Sequence, residues 1–296
     1  MYGSFGREIK SYGFEVLRED AFGEGLHFGF TIEGQATDYD DTPYDSDVDQ
    51  LEARLIWGLS DSNLRRDFGI GYRSQKVFAF ESGASPLFRD SADRITAPFL
   101  RLGFTYDYGA ESEKLQSRLS LDQYVWNLGT DDRILDLRLT GDLQYQLDDD
   151  YKILMGFSGG VALPRDGNQL SVLDRANLGG NSLRGFAPRG IGPSDGDHLL
   201  GGMRYLAFSV EAQREITLFD DKSFTGGVFA DFGSVWGLTN TDAGRVDDAF
   251  HLRSSLGVSA TFNIAEVPVS LYLSKPLKKQ DQDDTQYFGI TVQAKF

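Results

Sequence analysis

Apolar and polar residues alternate along most of the chain, and this alternation predicts β-strands. Residues 26–35 are the clearest case, since one face carries Leu26, Phe28, Phe30 and Ile32, and the other carries His27, Gly29, Thr31 and Glu33. A period of two places successive side chains on opposite faces of a strand. The pattern recurs throughout, and no stretch has the spacing of a convincing helix. The connections fall at residues 20–24, 39–47, 59–66, 81–94, 109–113, 127–132, 148–150, 165–198, 215–222, 237–249, 264–266 and 278–283.

Two architectures give every strand one apolar face. In a soluble sandwich that face is a core, whereas in a membrane barrel it meets lipid and the polar face lines a wet lumen. The strands, at about 10–16 residues, exceed the usual length of about 5–6 and suffice to cross a bilayer when tilted. The polar faces combine Gly, Ser and Thr with Glu and Arg. Aromatic residues lie near strand ends, at Tyr106, Tyr108, Tyr145, Tyr151, Trp236, Phe288 and Phe296. We therefore predict an antiparallel transmembrane β-barrel.

The connections separate into a long set and a short set when they are counted back from Phe296. Long loops are typical of the extracellular side of outer-membrane barrels, and bacterial barrels have an even number of strands. We therefore predict about twelve strands, a barrel over residues 24–296, and an extracellular loop at 165–198 that folds into the lumen. Residues 1–23 remain, either as a periplasmic or lumenal segment or as a strand outside this count.

Composition excludes some functions. A formal net charge of −16 and a pI near 4.6 disfavour nucleic-acid binding, because phosphate contacts need clustered Lys and Arg. The mean hydropathy of −0.33 does not argue against a barrel, whose apolar band occupies every second residue. Acidic runs at 38–41, 148–150 and 281–284 are interpreted as solvated turns, and cation-mediated contact with anionic lipid headgroups is the alternative.

Enzyme chemistry has little support in the sequence. The three His, at 27, 198 and 251, are scattered, and no nucleophile motif accompanies them. We expect no catalytic residue, no cofactor and no metal site. The absence of Cys is compatible with an exported protein. Residues 1–7 lack the charged and apolar regions of a signal peptide, so for an exported protein we expect a mature or excised form.

One stretch breaks the alternation for far longer than any other. Residues 164–198 are rich in Gly and contain Leu178-Gly179-Gly180-Asn181-Ser182-Leu183-Arg184-Gly185-Phe186. Loops of this length are usually functional or disordered. Because Leu, Phe and Ile recur within it, we expect this loop to fold back onto the barrel.

These residues resemble the conserved Arg-Gly-Phe loop of the BamA/TamA/two-partner-transporter superfamily of outer-membrane barrels (bacterial surface antigen barrels). The likeness is greatest to the C-terminal barrel of BamA, and it covers roughly residues 170–296. It continues through the segments 191–195, 200–202, 208–211, 229–236 and 275–279, and through a final strand that closes on Phe296. Residues 1–170 resemble the superfamily only in their pattern.

The resemblance implies roles for particular residues. In this superfamily the loop arginine contacts acids on the inner wall, so Arg184 would pair with Glu211 and Asp231, with Gly185 permitting close approach and Phe186 as an apolar anchor. The alternation independently places both acids inward on neighbouring strands. A guanidinium can hold two carboxylates at once. The alternative is a structural latch that only keeps the loop in place.

The resemblance also implies a function, because members insert barrel proteins into the outer membrane or move polypeptides across it. A lateral seam between a first strand near 25–37 and a last strand at 285–296 would open and offer its edge to a client strand. The last strand also resembles the signal by which barrels are recognised for assembly, through Phe288, Gly289, Ile290, Val292 and Phe296.

The expected setting is the bacterial cell outer membrane, with its lipid and lipopolysaccharide. Unfolded outer-membrane client proteins and periplasmic or lipoprotein accessory subunits are the expected partners. Two departures stand against this picture: the superfamily usually has sixteen strands, and no segment here resembles its periplasmic domains. The alternative is therefore a passive channel or structural barrel, plugged by its own loop and without insertase activity.

Overall fold

The structure, a computed structural model, describes residues 2–5, 9–23, 25–38, 43–58, 63–89, 94–109, 113–217, 223–242, 246–264 and 267–292. These residues form mostly β-strands, together with one short α-helix, α1 (Pro86–Arg89), and two 3₁₀ helices, Arg165–Gly167 and Gly180–Ser182. Among them, no helix is long and apolar enough to cross a membrane.

Nineteen strands follow one another along the described chain. They are β1 (Tyr2–Phe5), β2 (Ile9–Arg18), β3 (Leu26–Asp38), β4 (Asp45–Trp57), β5 (Leu64–Phe78), β6 (Ile95–Tyr108), β7 (Leu115–Trp126), β8 (Ile134–Gln146), β9 (Tyr151–Pro164), β10 (Gly185–Phe186), β11 (Ser194–Asp195), β12 (His198–Leu199), β13 (Arg204–Thr217), β14 (Ser223–Trp236), β15 (Val246–Asp247), β16 (Arg253–Ile264), β17 (Val267–Lys278), β18 (Thr285–Gln286) and β19 (Phe288–Val292). Fourteen of them form one antiparallel sheet, in the order β1 to β9, β13, β14, β16, β17, β19. This sheet is the wall of the barrel.

The twelve predicted strands are the wall strands from β3 onward. The sheet differs from the prediction at its start, because β2 pairs with β3 from Ile9–Thr37 to Arg18–Phe28, and β1 pairs with β2. The wall therefore begins before residue 24, and within the described residues it has fourteen strands rather than twelve. Since β3 has a partner on each side, it is not the edge strand that we predicted near 25–37. Within the described residues the edges of the sheet are β1 and β19.

The apolar faces of the wall strands point outward and remain exposed. Val228, Leu256, Leu273 and Ile290 are between 48% and 58% exposed, whereas Glu52 on an inward face is 6% exposed. A soluble sandwich would bury its apolar faces and expose its polar ones. The inverted distribution confirms the transmembrane barrel.

The connection between β9 and β13, residues 165–203, enters the barrel, and we call it the lumenal loop. Leu183, Phe186 and Ile191 from this loop are 0% exposed and pack against Val235 of the wall. The loop thus supplies one of the apolar clusters inside the lumen.

The lumenal loop is also joined to the other long connections, at what we call the long-loop end of the barrel. Its strand β11 pairs with β12 and with β15, which lies between β14 and β16. Phe88 of α1 packs in one cluster with Val172 and Leu200 of the loop. The opposite end, with its short connections, is the short-turn end.

One carboxylate at the long-loop end has a shifted pKa. Asp247 of β15 accepts a hydrogen bond from the backbone N–H of Ala249 at 3.1 Å, and its other oxygen lies 2.9 Å from His251 Nε2. These contacts, the Ala249 N–H first, hold the pKa of Asp247 below the ordinary value. Because this pKa is lower in the folded than in the unfolded chain, ionised Asp247 stabilises the fold at pH values above the unfolded-state pKa. The stabilisation is lost as pH falls through the folded-state pKa. Strong acid should therefore loosen β15.

Candidate functional site

Strands β13 and β14 present acidic side chains to the lumen at the same height. In their ladder Ser209 lies opposite Asp231, and Glu211 lies opposite Phe229. All four point inward, because side chains alternate along a strand and Phe208 and Phe232, which precede Ser209 and follow Asp231, are 40% and 37% exposed on the outer face. Glu211 and Asp231 are only 7% and 2% exposed.

Arg184 of the lumenal loop reaches both acids with its guanidinium. Nε and Nη2 donate to the two carboxylate oxygens of Asp231 at 2.8 Å each, and Nη1 donates to Glu211 Oε2 at 2.5 Å. Nη2 also donates to Ser209 Oγ at 3.2 Å, and the backbone N–H of Arg184 donates to Asp231 at 3.1 Å. The structure therefore brings together the three charged residues named from the sequence, in the two-carboxylate arrangement that a guanidinium fork allows.

The face of this guanidinium rests on an aromatic ring that the sequence analysis did not single out. Arg184 Cζ lies 3.4 Å from the ring centroid of Phe229, a geometry in which a cation is attracted to the ring face. The ring lies over Gly257 of β16, where a Cβ would come within 2.3 Å of it. Phe229 and Gly257 are opposite each other in the β14–β16 ladder, so glycine makes room for the ring.

Neutral donors complete the site, which holds one cation and two anions. Ser259 Oγ and Gln213 Nε2 donate to Glu211 Oε1 at 2.6 and 2.7 Å. Ser255 Oγ donates to the backbone carbonyl oxygen of Arg184. Buried charges are tolerated when their hydrogen-bonding capacity is met, and removing one partner of such a group costs about 3–5 kcal/mol. These serines and Gln213 also occupy inward positions, which is the signal that would have found them.

Gly185 and Phe186 have separate structural reasons to follow the arginine. Gly185 has φ of 100°, and a Cβ at this position would lie 2.8 Å from Ser255 Cβ. Any other residue would be strained by the backbone conformation and would also collide with the wall. Phe186 packs with Leu178 and Leu183 in the apolar core of the lumenal loop.

The same loop contacts the chain immediately before the terminal strand. β10 pairs with β18, Gly185 opposite Gln286 and Phe186 opposite Thr285. Ser274 N of β17 donates to the Tyr287 carbonyl oxygen at 2.8 Å. Segment 284–287 is therefore held between the loop and the wall.

A further contact joins the loop to β19 itself. Thr291 Oγ1 donates to Asn181 Oδ1 at 2.8 Å. β19 pairs with β17 over five residues, from Phe288–Leu273 to Val292–Val269. The Arg-Gly-Phe segment is thus linked to the last described strand of the sheet.

The residues predicted as a terminal assembly signal are only partly described. Phe288 and Ile290 point outward and are 47% and 55% exposed. Gly289 lies between them on the inward face of β19. The side chain of Val292 and the whole of Phe296 lie outside the described residues.

A second anchor of the lumenal loop was not predicted. Arg73 Nη2 of β5 lies 2.8 Å from Asp174 Oδ1 of the loop, and Gln75 Nε2 donates to Asp174 Oδ2 at 2.9 Å. Arg73 Cζ lies 4.1 Å from the ring centroid of Trp126. Here the loop supplies the acid and the wall supplies the cation.

A polar chamber of about 530 Å³ lies beside Arg184 on its short-turn side. Towards the short-turn end the chamber is lined by the hydroxyl groups of Thr225, Thr261 and Ser270 and by one amine, that of Lys152. Among the described residues, no group of three or more His, Cys, Asp or Glu could hold a metal ion. The arrangement can bind polar main-chain or side-chain groups.

Comparison with known proteins identifies the superfamily. The model of the Omp85 superfamily domain matches residues 1–296. A SAM50-like protein of Schizosaccharomyces pombe is 43% identical over 74 residues, which are 24% of this chain and 16% of that protein.

Two solved structures share the fold. The crystal structure of BamA from Haemophilus ducreyi lacking POTRA domains 1–3 superimposes with a TM-score of 0.79 and 18% identity, over 97% of this chain and 62% of that one. CdiB from Acinetobacter baumannii gives a TM-score of 0.61 and 15% identity, over 96% of this chain and 50% of that one. The chain thus spans less than two thirds of the length of each relative. The predicted resemblance to this superfamily is confirmed. This chain belongs to the Omp85 superfamily.

Proposed function

We propose that this chain assembles or translocates outer-membrane polypeptides, and that a client engages it at a lateral seam between the first and last wall strands. Membership of the Omp85 superfamily supports the general activity. We predicted this seam between residues 25–37 and 285–296. Because β1 and β2 precede β3 in the sheet, the seam proposed here lies between β1 and β19.

One observation carries the proposal, namely the state of β19. Among the described residues this strand pairs only with β17, from Phe288 to Val292, and its other edge has no partner strand. An unpaired strand edge is a template for another strand, and strand addition supplies main-chain hydrogen bonds for any client sequence. The lumenal loop holds the chain just before this edge through β10 and β18. The Arg184 site therefore sets the position of the segment that leads into the seam.

The partners of this activity are unfolded outer-membrane proteins, together with periplasmic or lipoprotein accessory subunits. The location is a bacterial outer membrane with its lipid and lipopolysaccharide. Similarity to two bacterial structures supports this setting. The SAM50-like relative comes from a eukaryote, so a eukaryotic outer membrane is the second setting.

A second candidate function is a passive or structural barrel that is plugged by its own loop. The complete burial of Leu183, Phe186 and Ile191 favours it, because the loop is a packed body in the lumen. In this case Arg184 is a latch only, and the seam has no client.

A reconstitution experiment tests the proposal. The chain is refolded into liposomes, an unrelated unfolded barrel protein is added, and its folding is followed by heat-dependent mobility on gels. We expect faster insertion than into empty liposomes, because the edge of β19 offers a template for the first client strand. Liposomes that carry a barrel of similar size from outside the superfamily control for bilayer disturbance.

Ion conductance is measured on the same liposomes. Conductance without accelerated insertion would overturn the proposal in favour of a channel. Absence of both would leave the plugged structural barrel. Acceleration equal to that given by the control barrel would also contradict an assembly role.

A further inference from the structure

An apolar groove of about 430 Å³ lies on the outer face of the barrel, across β8 and β9. Its sides are formed by Leu137 and Leu139 of β8 and by Gly159 and Val161 of β9. All four positions belong to the exposed apolar face of the wall, so in a bilayer the groove faces the acyl chains of lipids.

The groove exists because β9 has a glycine at a lipid-facing position. Gly159 lies between Leu139 of β8 and Leu206 of β13 in the two ladders. A Cβ at this position would meet its nearest neighbours at 3.4–3.6 Å, which is ordinary contact distance. The wall can therefore accept a side chain here, so the glycine leaves a space rather than relieving a clash.

The stem of Arg204 lines the long-loop end of the groove, and its guanidinium lies beyond that end, beside Gly237. Arg204 begins β13 and lies opposite Trp236, the last residue of β14. Trp236 packs edge-on against Phe250, with ring centroids 5.0 Å apart. Aromatic residues at strand ends mark the level of the lipid headgroups. Among the described residues, no carboxylate oxygen lies within 4.0 Å of the Arg204 guanidinium nitrogens.

We propose that this groove binds an anionic lipid of the bilayer, with one acyl chain along Gly159 and the headgroup phosphate on Arg204. A guanidinium without a carboxylate partner is complementary to phosphate in charge and geometry. The occupant is a bilayer lipid and not a soluble phosphate, because the cation is continuous with an apolar groove that only an acyl chain would fill. The inference rests on the barrel fold and not on the proposed function.

Fluorescence of one tryptophan tests this site. The chain has three Trp. Trp126 is 5% exposed inside the lumen, whereas Trp57 and Trp236 lie on the outer face of the wall. The substitution Trp57→Phe therefore leaves Trp236 as the lipid-facing tryptophan. This chain is reconstituted in phosphatidylcholine vesicles that contain brominated phosphatidylglycerol or brominated phosphatidylcholine. We expect brominated phosphatidylglycerol to reach half-maximal quenching at a content about fivefold lower than brominated phosphatidylcholine. One cation at the membrane interface favours an anionic over a neutral lipid by about this factor.

Two pairs of variants in this Trp57→Phe chain locate the effect. Arg204→Gln should abolish the preference for the anionic lipid. Arg214 lies over Tyr151 on the same face of β13, at the short-turn end, so Arg214→Gln should keep that preference. Gly159→Leu should weaken quenching by both lipids. Gly141→Leu places the same side chain at another outward glycine, and it should leave quenching by both lipids unchanged. Equal quenching by the two lipids, loss of preference in both arginine variants, or unchanged quenching with Gly159→Leu would overturn the proposal.

Discussion

The lumenal loop is anchored to the wall at two places, and the two anchors use the same chemical groups with the charges exchanged. In one, Arg184 of the loop meets acids of the wall and rests on Phe229. In the other, Asp174 of the loop meets Arg73 of the wall, which rests on Trp126. Both combine a guanidinium, an aromatic face and buried carboxylate.

The anchors differ in how completely the guanidinium is bonded. Nε, Nη1 and Nη2 of Arg184 all donate to carboxylates. By contrast, Nε and Nη2 of Arg73 are buried without a hydrogen bond, and the 2.8 Å approach of Nη2 to Asp174 has poor angular geometry. A buried donor without a partner costs about 1–3 kcal/mol, so we expect the Arg73 anchor to be weaker.

Their positions also differ, and this gives the comparison its functional meaning. β5 and β14 are separated in the sheet by β6 to β9 and β13, so the loop crosses the lumen from one side of the wall to the other. Only the Arg184 anchor adjoins β18 and the terminal strand. Releasing it should disturb the seam, whereas releasing the other should free only the first half of the loop.

The largest expected effect separates the two anchors directly. Arg184→Ala leaves two buried acids without their cation, and we expect a loss of about 3–5 kcal/mol in the free energy of unfolding from lipid vesicles. Asp174→Ala should cost less, about 3 kcal/mol, because it leaves one buried cation unpaired and this cation keeps its stack on Trp126. Urea titrations monitored by heat-dependent gel mobility measure both.

Limited proteolysis of the same two variants reports the location of the change. Arg184→Ala should expose residues 180–195 and 284–287 to cleavage, and Asp174→Ala should expose only residues near 165–178. An unchanged digestion pattern for Arg184→Ala would remove this residue from its anchoring role. Identical patterns for the two variants would contradict the distinction between the anchors.

The sequence predicts one anchor much better than the other for a physical reason. Alternation places Glu211 and Asp231 inward on adjacent strands, so a loop arginine that reaches this part of the lumen can meet both. The contact between Arg73 and Asp174 depends on the path of an irregular loop across the lumen, and no local pattern encodes that path. The stack of Phe229 over Gly257 depends on the register of β14 with β16, which their long connection does not specify.

The wall was predictable from β3 onward because each strand has the period-two pattern of a lipid-exposed face. Residues 8–18 have the same pattern, yet alternation alone does not state which neighbour a strand pairs with. The even count expected of a barrel is satisfied by twelve strands and by fourteen. The ladder from Ile9–Thr37 to Arg18–Phe28 adds β2 and the β1–β2 ladder adds β1, and together they decide for fourteen among the described residues.

A smaller effect sharpens the comparison at the level of the loop backbone. Gly185→Ala should cost about 2–4 kcal/mol, as an unfavourable φ is combined with overlap against Ser255. Gly167, in the other half of the loop, has φ of 75°, and an added Cβ would have no atom within 4 Å. Gly167→Ala should therefore lower the free energy of unfolding by about 1–2 kcal/mol through the backbone conformation alone. The difference in urea midpoint isolates the close approach at the Arg184 anchor. Equal costs would mean that the overlap is relieved freely and that Gly185 serves conformation alone.

The smallest predicted effect concerns the link between the loop and the terminal strand. Thr291→Val keeps the shape of the side chain and removes its hydrogen bond to Asn181, so we expect a loss of about 0.5–1.5 kcal/mol. Hydrogen exchange should accelerate in β19 and at residues 180–187, because each holds the other. Thr261→Val removes a comparable bond to Ser270 within the wall and should leave both segments protected. Faster exchange in β19 without any change in the loop would show that the Asn181–Thr291 hydrogen bond does not couple the loop to the terminal strand.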